Sequence, residues 1–323
     1  MSDSLKSPVQ PANPNKFAVD TLIVTSVLAI TAVFYYGRRA AVIALISVAA
    51  AVLSDIAASL LRYKSLKPKT LFSGFLPAIG TGLINAVIMP VTIPYGAVIA
   101  GAVVSVLVLR AAFGGVRSEI INPSAGALLF VFYAFPGRLN IFTRIFTDLP
   151  LSAVIYPENA GGSFFGRLIN EGVITGDIPE LVAGRLPFMM GGCLLLIIAA
   201  AVFFIIRRDF SGISFITACA VFFGITYAVR GDITVCLYAL AGILPAITLT
   251  ALTLTSRFSG FSAKLIYGAL LGGVCALFVW YSKNEYGGFF AAVILSPLAV
   301  YFANSGWGLK NIIPDRFKKI KLS

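Results

Sequence analysis

The sequence predicts an all-α polytopic membrane protein with about ten transmembrane helices in two inverted five-helix repeats. The first observation is composition: 59% of the 323 residues are hydrophobic and 12% are charged, whereas soluble domains carry about 25% charged residues. The second is that the apolar residues form runs of about 20, the length with which a helix crosses a bilayer. The third is that the segment Gly74–Ile79 (GFLPAI) returns with one change as Gly242–Ile247 (GILPAI).

The apolar runs define the elements in order. They predict spans at about 17–37, 40–61, 71–90, 94–112, 121–136, 186–206, 211–229, 232–254, 262–282 and 286–305. The chain then divides into an N-terminal tail (1–16), a first five-helix repeat (17–136), a long extracytoplasmic loop (137–185), a second five-helix repeat (186–305) and a basic tail (306–323). Because residues 1–16 are polar and the first apolar run is long enough to span, we expect no cleavable signal peptide.

The basic residues predict the orientation. Most of the 25 Lys and Arg residues fall in segments on the same side as the two termini. The positive-inside rule therefore places both termini in the cytoplasm of a multi-pass membrane protein. The net charge of +12 is explained by a cytoplasmic basic surface facing anionic lipid, so it indicates no nucleic-acid partner.

The two similar segments fall on the third and eighth predicted spans, which would run in opposite directions. A span interrupted by Gly or Pro leaves backbone groups unpaired, which is tolerated where they are buried in protein or face a cavity. We therefore expect Gly74, Pro77, Gly242 and Pro245 to help form a central cavity. The alternative is that the two prolines only kink helices that pack against their neighbours.

Several kinds of chemistry have no residues to support them. The chain has no His, so sites that need a His ligand or a His general base are excluded. The four cysteines occur singly in apolar runs, which is typical of buried, unreactive thiols. No nucleotide-binding glycine motif is present, and the sequence predicts no catalytic residue and no metal site.

Asp55 is the acidic residue that lies well inside a predicted span. A carboxylate at membrane depth is costly unless it is paired or hydrated, and it often marks an ion or proton path. Asp55 is thus a candidate for the ion path. Its place seven residues before Arg62 leaves open a structural role near the interface.

The segment Phe113–Gly126 (FGGVRSEIINPSAG) is the most specific in the chain. Gly114 and Gly115 free the backbone, and Asn122 followed by Pro123 can start the next helix. From physical chemistry alone the segment is a tight turn with close helix packing.

The same segment resembles the Phe-Gly-Gly-Leu-Gly…Phe-Asn-Pro-Ala signature of the RnfD and NqrB family. These are membrane subunits of ion-translocating electron-transport complexes. Four further stretches resemble the family: residues 34–62, 74–95, Leu265–Leu270 and Glu285–Phe290. The resemblance implies ten spans in two inverted halves, cytoplasmic termini and a place in the bacterial inner membrane. It implies other membrane and flavin-bearing subunits as partners. It also implies cofactor-binding roles for Gly114, Gly115, Asn122 and Pro123.

One position departs from the family pattern. Family members carry Ser-Gly-Ala-Thr in the long outer loop, and the Thr is esterified to FMN. The matching stretch here begins at Thr175 and places Ile178 at the Thr position. Since Ile has no hydroxyl, we expect no covalent FMN, and Thr175 is the remaining nearby hydroxyl. The resemblance then implies FMN or riboflavin bound without a covalent bond.

Two functions remain open from the sequence. In the first, the chain is the D-like integral subunit of an Rnf- or Nqr-type complex and couples electron transfer to movement of Na⁺ or H⁺. In the second, it is a small-solute permease or channel on the same inverted-repeat scaffold. A fold of this kind permits both.

Overall fold

A computed structural model of the chain describes residues 14–63, 74–113, 120–141, 146, 149–152, 186, 188–253, 255–258 and 260–305. Over these residues the protein is all-α, with ten apolar helices and no strand. This confirms the predicted fold class of a polytopic helical membrane protein. The inverted relation between the two sets of five helices stays a prediction.

The helices follow the predicted order. The first five are α1 (Pro14–Tyr36), α2 (Arg38–Tyr63), α3 (Phe75–Ile88), α4 (Tyr95–Ala111) and α5 (Pro123–Ala134). The second five are α6 (Leu194–Arg207), α7 (Gly212–Arg230), α8 (Ile233–Ala251), α9 (Phe261–Ser282) and α10 (Gly287–Ser305). By length and composition α1, α2, α7, α8 and α9 can each cross a membrane, and the other five are shorter apolar helices.

Two helices change their winding near the end. The last eight residues of α4, Val104–Ala111, and the last five of α8, Ile247–Ala251, are π-helical. In α8 the wider turn follows Pro245, which has no N–H to donate to the preceding turn. Wide turns of this kind occur frequently at functional sites.

The sixth helix begins later than the sequence suggests. The predicted span starts at 186, but α6 starts at Leu194, so that boundary is wrong. In the preceding segment the backbone N–H groups of Met190 and Gly191 donate to the carbonyls of Met89 and Val87, at 2.8 and 3.0 Å. Because these N–H groups donate to carbonyls at the end of α3, they do not form hydrogen bonds within a helical turn, and α6 begins after them.

Glycines set the closest helix contacts. A Cβ on Gly82 of α3 would lie 2.8 Å from the Cα of Val48 on α2, and a Cβ on Gly272 of α9 would lie 2.4 Å from the carbonyl oxygen of Ala218 on α7. Across the two halves, Phe132 of α5 and Phe290 of α10 meet edge to face with ring centroids 5.5 Å apart. The ten helices therefore form one bundle with a continuous core.

The outer face of the bundle is apolar. Several large side chains on its helices are mostly exposed: Ile30, Leu45, Leu61, Ile206 and Leu277. In a soluble protein such a surface would aggregate, whereas hydrocarbon chains of lipid cover it at no cost.

Candidate functional site

The carboxylate of Asp55 lies against the start of α3. Asp55 is 9% exposed, and Gly74, which precedes α3, provides the space for it. A Cβ on Gly74 would lie 2.3 Å from Oδ2 and 2.7 Å from Oδ1 of Asp55. The free N–H groups at a helix N-terminus favour a negative charge. Over the described residues the Asp55 carboxylate accepts no hydrogen bond.

Arg110 is the positive charge that acts on Asp55. It lies in the π-helical part of α4, is buried, and interacts electrostatically with the Asp55 carboxylate. Its Nη2 also donates to the hydroxyl of Thr81, which in turn donates to the carbonyl of Pro77 at 2.9 Å. A buried acid and a buried base thus share one region at the start of α3.

A further polar pair lies one turn along α3. Asn85 is fully buried, and its Nδ2 donates to the hydroxyl of Ser105 at 2.8 Å. Its Oδ1 accepts no hydrogen bond within the described part of the chain. Because Pro77, Thr81 and Asn85 are spaced by four, their polar groups follow one face of α3. A row of polar groups on α3 thus extends from the Asp55 carboxylate into the bundle.

The two similar segments do not occupy equivalent places in their helices. Gly74 and Pro77 lie at the beginning of α3, where a proline needs no N–H partner. Gly242 and Pro245 lie in the buried interior of α8, just before its π-helical end. Residues in the two segments therefore have different backbone roles, and a shared cavity between them stays a prediction.

Asn122 and Pro123 start α5. The Asn122 Oδ1 accepts from the backbone N–H groups of Ser124 and Ala125 at 3.1 and 3.2 Å, and Pro123 is the first helical residue. The Asn122 Nδ2 donates to the carbonyl of Thr250, in the π-helical end of α8, at 3.1 Å. The two bonds to Oδ1 use both of its lone pairs, so this oxygen caps α5. The bond from Nδ2 joins the first five helices to the second five.

Two fully buried side chains that the sequence analysis did not single out join segments at one end of the bundle. Arg39 donates to the carbonyls of Val91 and Ile93 at 2.8 and 3.1 Å. The same side chain donates to the carbonyls of Pro150 and Ser152, and it lies 4.9 Å from the ring centroid of Tyr95. Its guanidinium thus joins α2, the α3–α4 connection and the segment 149–152. The sequence feature that could have indicated this role is the position of Arg39 between two long apolar runs.

The second such side chain is Tyr286, just before α10. Its hydroxyl lies 2.8 Å from the carbonyl oxygen of Leu139 and 2.9 Å from that of Phe188. Leu139 follows α5 and Phe188 precedes α6, so one hydroxyl links the ends of three helices. No sequence pattern indicated this contact, because a tyrosine beside a span is usually placed at the lipid interface.

The structure describes only some of the residues that the resemblance implies for flavin binding. Gly114, Gly115, Thr175 and Ile178 lie outside the described residues. Of the implied set, Asn122 has its acceptor oxygen engaged in the α5 cap, so that oxygen is not available to a cofactor. The flavin site implied by the resemblance stays a prediction.

The comparison with known families covers almost the whole bundle. Residues 9–304 match the sequence model of the NQR2, RnfD, RnfE family. The chain belongs to this family. The match includes all ten helices apart from the last residue of α10, which confirms the resemblance drawn from the Phe-Gly-Gly and Asn-Pro segment.

Individual members of the NQR2, RnfD, RnfE family are similar over shorter stretches. The D component of an ion-translocating oxidoreductase complex from Haemophilus ducreyi is 26% identical over 125 residues, which is 39% of this chain and 35% of that protein. The D component of the Na⁺-translocating ferredoxin:NAD⁺ oxidoreductase complex from Acetobacterium woodii is 30% identical over 97 residues, 30% of each chain. The B component of the Na⁺-translocating NADH-quinone reductase from Chlamydia felis is 33% identical over 60 residues, 19% of this chain and 12% of that protein. The chain thus matches about a third or less of the length of each relative.

Proposed function

We propose that this chain is the membrane subunit of an ion-translocating electron-transport complex, and that Asp55 forms part of its path for Na⁺ or H⁺. The observation that carries the proposal is the almost fully buried Asp55 carboxylate, which lies at the start of α3 and accepts no hydrogen bond over the described residues. Membership of the family, whose relatives above are named as components of ion-translocating oxidoreductases, supports the same conclusion.

The surroundings of Asp55 suit transient binding of a cation. A carboxylate in a low-dielectric bundle is stabilised by a proton, by a cation or by a nearby basic group. Arg110 supplies a positive charge and the start of α3 supplies N–H dipoles, so the empty carboxylate is tolerated. An arriving Na⁺ or H⁺ competes with these groups and is therefore held weakly enough to leave.

The polar face of α3 gives this path a direction. Thr81 and Asn85 follow Asp55 inward, and the acceptor oxygen of Asn85 is buried without a donor in the described residues. An oxygen of this kind suits a partly dehydrated cation or a water molecule. The ion is thus expected to pass from the Asp55 carboxylate along α3.

For the redox part, the proposal includes a flavin that is bound without a covalent bond. A phosphoester needs a hydroxyl on the protein, and Ile178 provides none. FMN or riboflavin would supply one-electron and two-electron chemistry. The partners would be the other membrane and flavin-bearing subunits of the complex. The names of the relatives, each a subunit of a complex, support the presence of other subunits.

The ion path is tested with Asp55→Asn and Asp55→Glu in vesicles made from the native membrane. Ion uptake driven by an electron donor and electron transfer itself are measured on the same vesicles. We expect Asp55→Asn to lower uptake at least about tenfold, a loss of about 1.4 kcal/mol of stabilisation, and Asp55→Glu to restore part of it. Asp232→Asn is the matched control, because Asp232 is exposed and its Oδ1 caps α8 as an amide oxygen also can.

Unchanged uptake in Asp55→Asn would remove Asp55 from the path. Ion or solute uptake that needs no electron donor would contradict the redox function and support a permease. The flavin is tested separately by ultraviolet illumination of a denaturing gel of the purified complex. A fluorescent band at the mass of this chain would contradict the loss of covalent attachment.

A further inference from the structure

Four charged side chains meet where α1 approaches the turn between α6 and α7. Arg207 donates to both carboxylate oxygens of Asp20, at 2.9 Å from Nη2 and 3.0 Å from Nε. Lys16 Nζ lies 3.9 Å from Oδ2 of Asp20 and 3.6 Å from Oδ1 of Asp209. Asp20 and Asp209 are 1% and 7% exposed. The cluster joins the first helix of the chain to its second half, at a place distant in sequence from Asp55.

The backbone fixes Asp209 in this cluster. Arg208 takes a left-handed conformation, with φ 61°, at the end of α6. Its N–H donates to the carbonyl of Ile205 at 3.1 Å, and the N–H of Asp209 donates to the carbonyl of Phe204 at 2.9 Å. This pair of bonds is the Schellman helix end. The side chain of Asp209 is therefore held in place by the helix end.

The two carboxyl groups have unequal partners. Asp20 receives a two-pronged bond from Arg207, the strongest arrangement that a carboxylate has in proteins. Among the described residues the basic partner of Asp209 is the ammonium of Lys16, at 3.6 Å, a distance too long for a hydrogen bond. Oδ2 of Asp209 is fully enclosed and accepts no hydrogen bond within the described residues. The Lys16 ammonium lies 3.9 Å from the carboxyl of Asp20 and 3.6 Å from that of Asp209, so the two carboxyl groups are neighbours. A proton on Asp209 would turn this unsatisfied acceptor into a donor.

We propose that Asp20 and Asp209 form a proton-binding pair that ties α1 to the turn between α6 and α7. The proton comes from the solvent and binds Asp209, whose O–H then donates to the Asp20 carboxylate. Without it, two carboxylates face each other and repel. In the described part of the chain the other charged groups that face the pair are Lys16 on α1 and Arg207 on α6.

The pKa of Asp209 agrees with this geometry. Burial, and next the neighbouring Asp20, raise that pKa from 3.8 to about 6, and Lys16 opposes part of the change. Because the folded-state pKa lies above the unfolded one, protonation favours the folded contact. The contribution is fully present below about pH 4 and is lost as the pH rises through about 6. The contact between α1 and the turn therefore tightens in mild acid.

The pair is tested by infrared difference spectroscopy on the purified full chain in detergent. The sample is titrated from about pH 7.5 to about pH 3.5, a range that includes the ordinary pKa of an aspartate and the raised pKa of Asp209. A protonated carboxyl has a separate carbonyl stretch. We expect the wild type to show a band with a midpoint near pH 6 that Asp209→Asn lacks, so the difference between the two proteins contains this band alone. Asp55 and Glu285 occur in both proteins, so their bands cancel in the difference between the two. Asp232→Asn is the exposed control and should keep the band.

Lys16→Gln is a second variant that does not remove either carboxyl. Loss of the ammonium should move the midpoint above that of the wild type, because Lys16 holds it down. The proposal is overturned if Asp209 titrates near pH 4 like an ordinary aspartate, if the band remains in Asp209→Asn, or if Lys16→Gln leaves the midpoint where it is. None of these readouts depends on ion transport, so they are independent of the function proposed for Asp55.

Discussion

Replacement of Gly272 by Ala should separate α9 from α7. Gly268 and Gly272 are four residues apart on α9, a spacing that lets two helix backbones approach closely. A Cβ on Gly272 would lie 2.4 Å from the carbonyl oxygen of Ala218, whereas ordinary contacts start at 3.4 Å. The neighbouring Gly273 has no atom within 4 Å of its Cβ position and is the matched control.

The size of the effect follows from these distances. The backbones must move apart by about 1 Å, and forced overpacking costs about 1–3 kcal/mol. Alanine also favours the helix over glycine by about 1 kcal/mol, and this gain applies to both variants. We expect Gly273→Ala to be as stable as the wild type or more stable, and Gly272→Ala to be less stable than Gly273→Ala by about 1–3 kcal/mol.

The assay is thermal denaturation of the purified chain in detergent, followed by the fraction that elutes as a monodisperse peak after heating. In a chain of this size 1 kcal/mol corresponds to about 2 °C in Tm, so the two variants should differ by about 2–6 °C. Equal melting of Gly272→Ala and Gly273→Ala would refute the close contact between α7 and α9.

Two further substitutions test the contacts of Arg39 and Tyr286 in the same assay. Arg39→Lys should lower the free energy of unfolding by about 1–3 kcal/mol, because an ammonium cannot reach the separate carbonyls to which the buried guanidinium donates. The exposed Arg38→Lys is the control and should have no effect. Equal melting temperatures of the two variants would contradict the role of Arg39 in joining these segments. Tyr286→Phe should cost about 1–3 kcal/mol, because it removes the single buried O–H donor that the carbonyls of Leu139 and Phe188 share. The exposed Tyr281→Phe is its control. A Tyr286→Phe protein as stable as its control would show that water replaces the hydroxyl.

The positions of the helices were predictable because hydrocarbon imposes both their length and their composition. Long apolar runs such as Arg38–Leu61 and Phe261–Tyr281 have few alternatives in a membrane, and the structure has helices at both. The start of α6 was not predictable, since the segment before Leu194 is as apolar as a helix. What decides it is a distant partner, the end of α3, and a hydropathy pattern contains no information about partners.

Of the candidate site, the sequence predicted the acidic residue Asp55 but not which residues surround it. Asp55 is conspicuous because a carboxylate inside a span is rare, but nothing in the sequence pairs it with Gly74 or with Arg110. The contact depends on how α2, α3 and α4 pack. The cluster of Asp20 and Asp209 escaped notice for the same reason, because each residue alone lies at the end of a span, where charges are common.

The bonds from Met190 and Gly191 to the end of α3 also bear on how the chain is assembled. The ribosome completes the first five helices before it makes the residues whose N–H groups pair with Val87 and Met89. Until then, these two carbonyls depend on water or on the insertion machinery, because hydrocarbon offers no donor. We therefore expect the end of α3 to be among the last parts of the first half to reach its final structure, once the segment before α6 supplies these two donors.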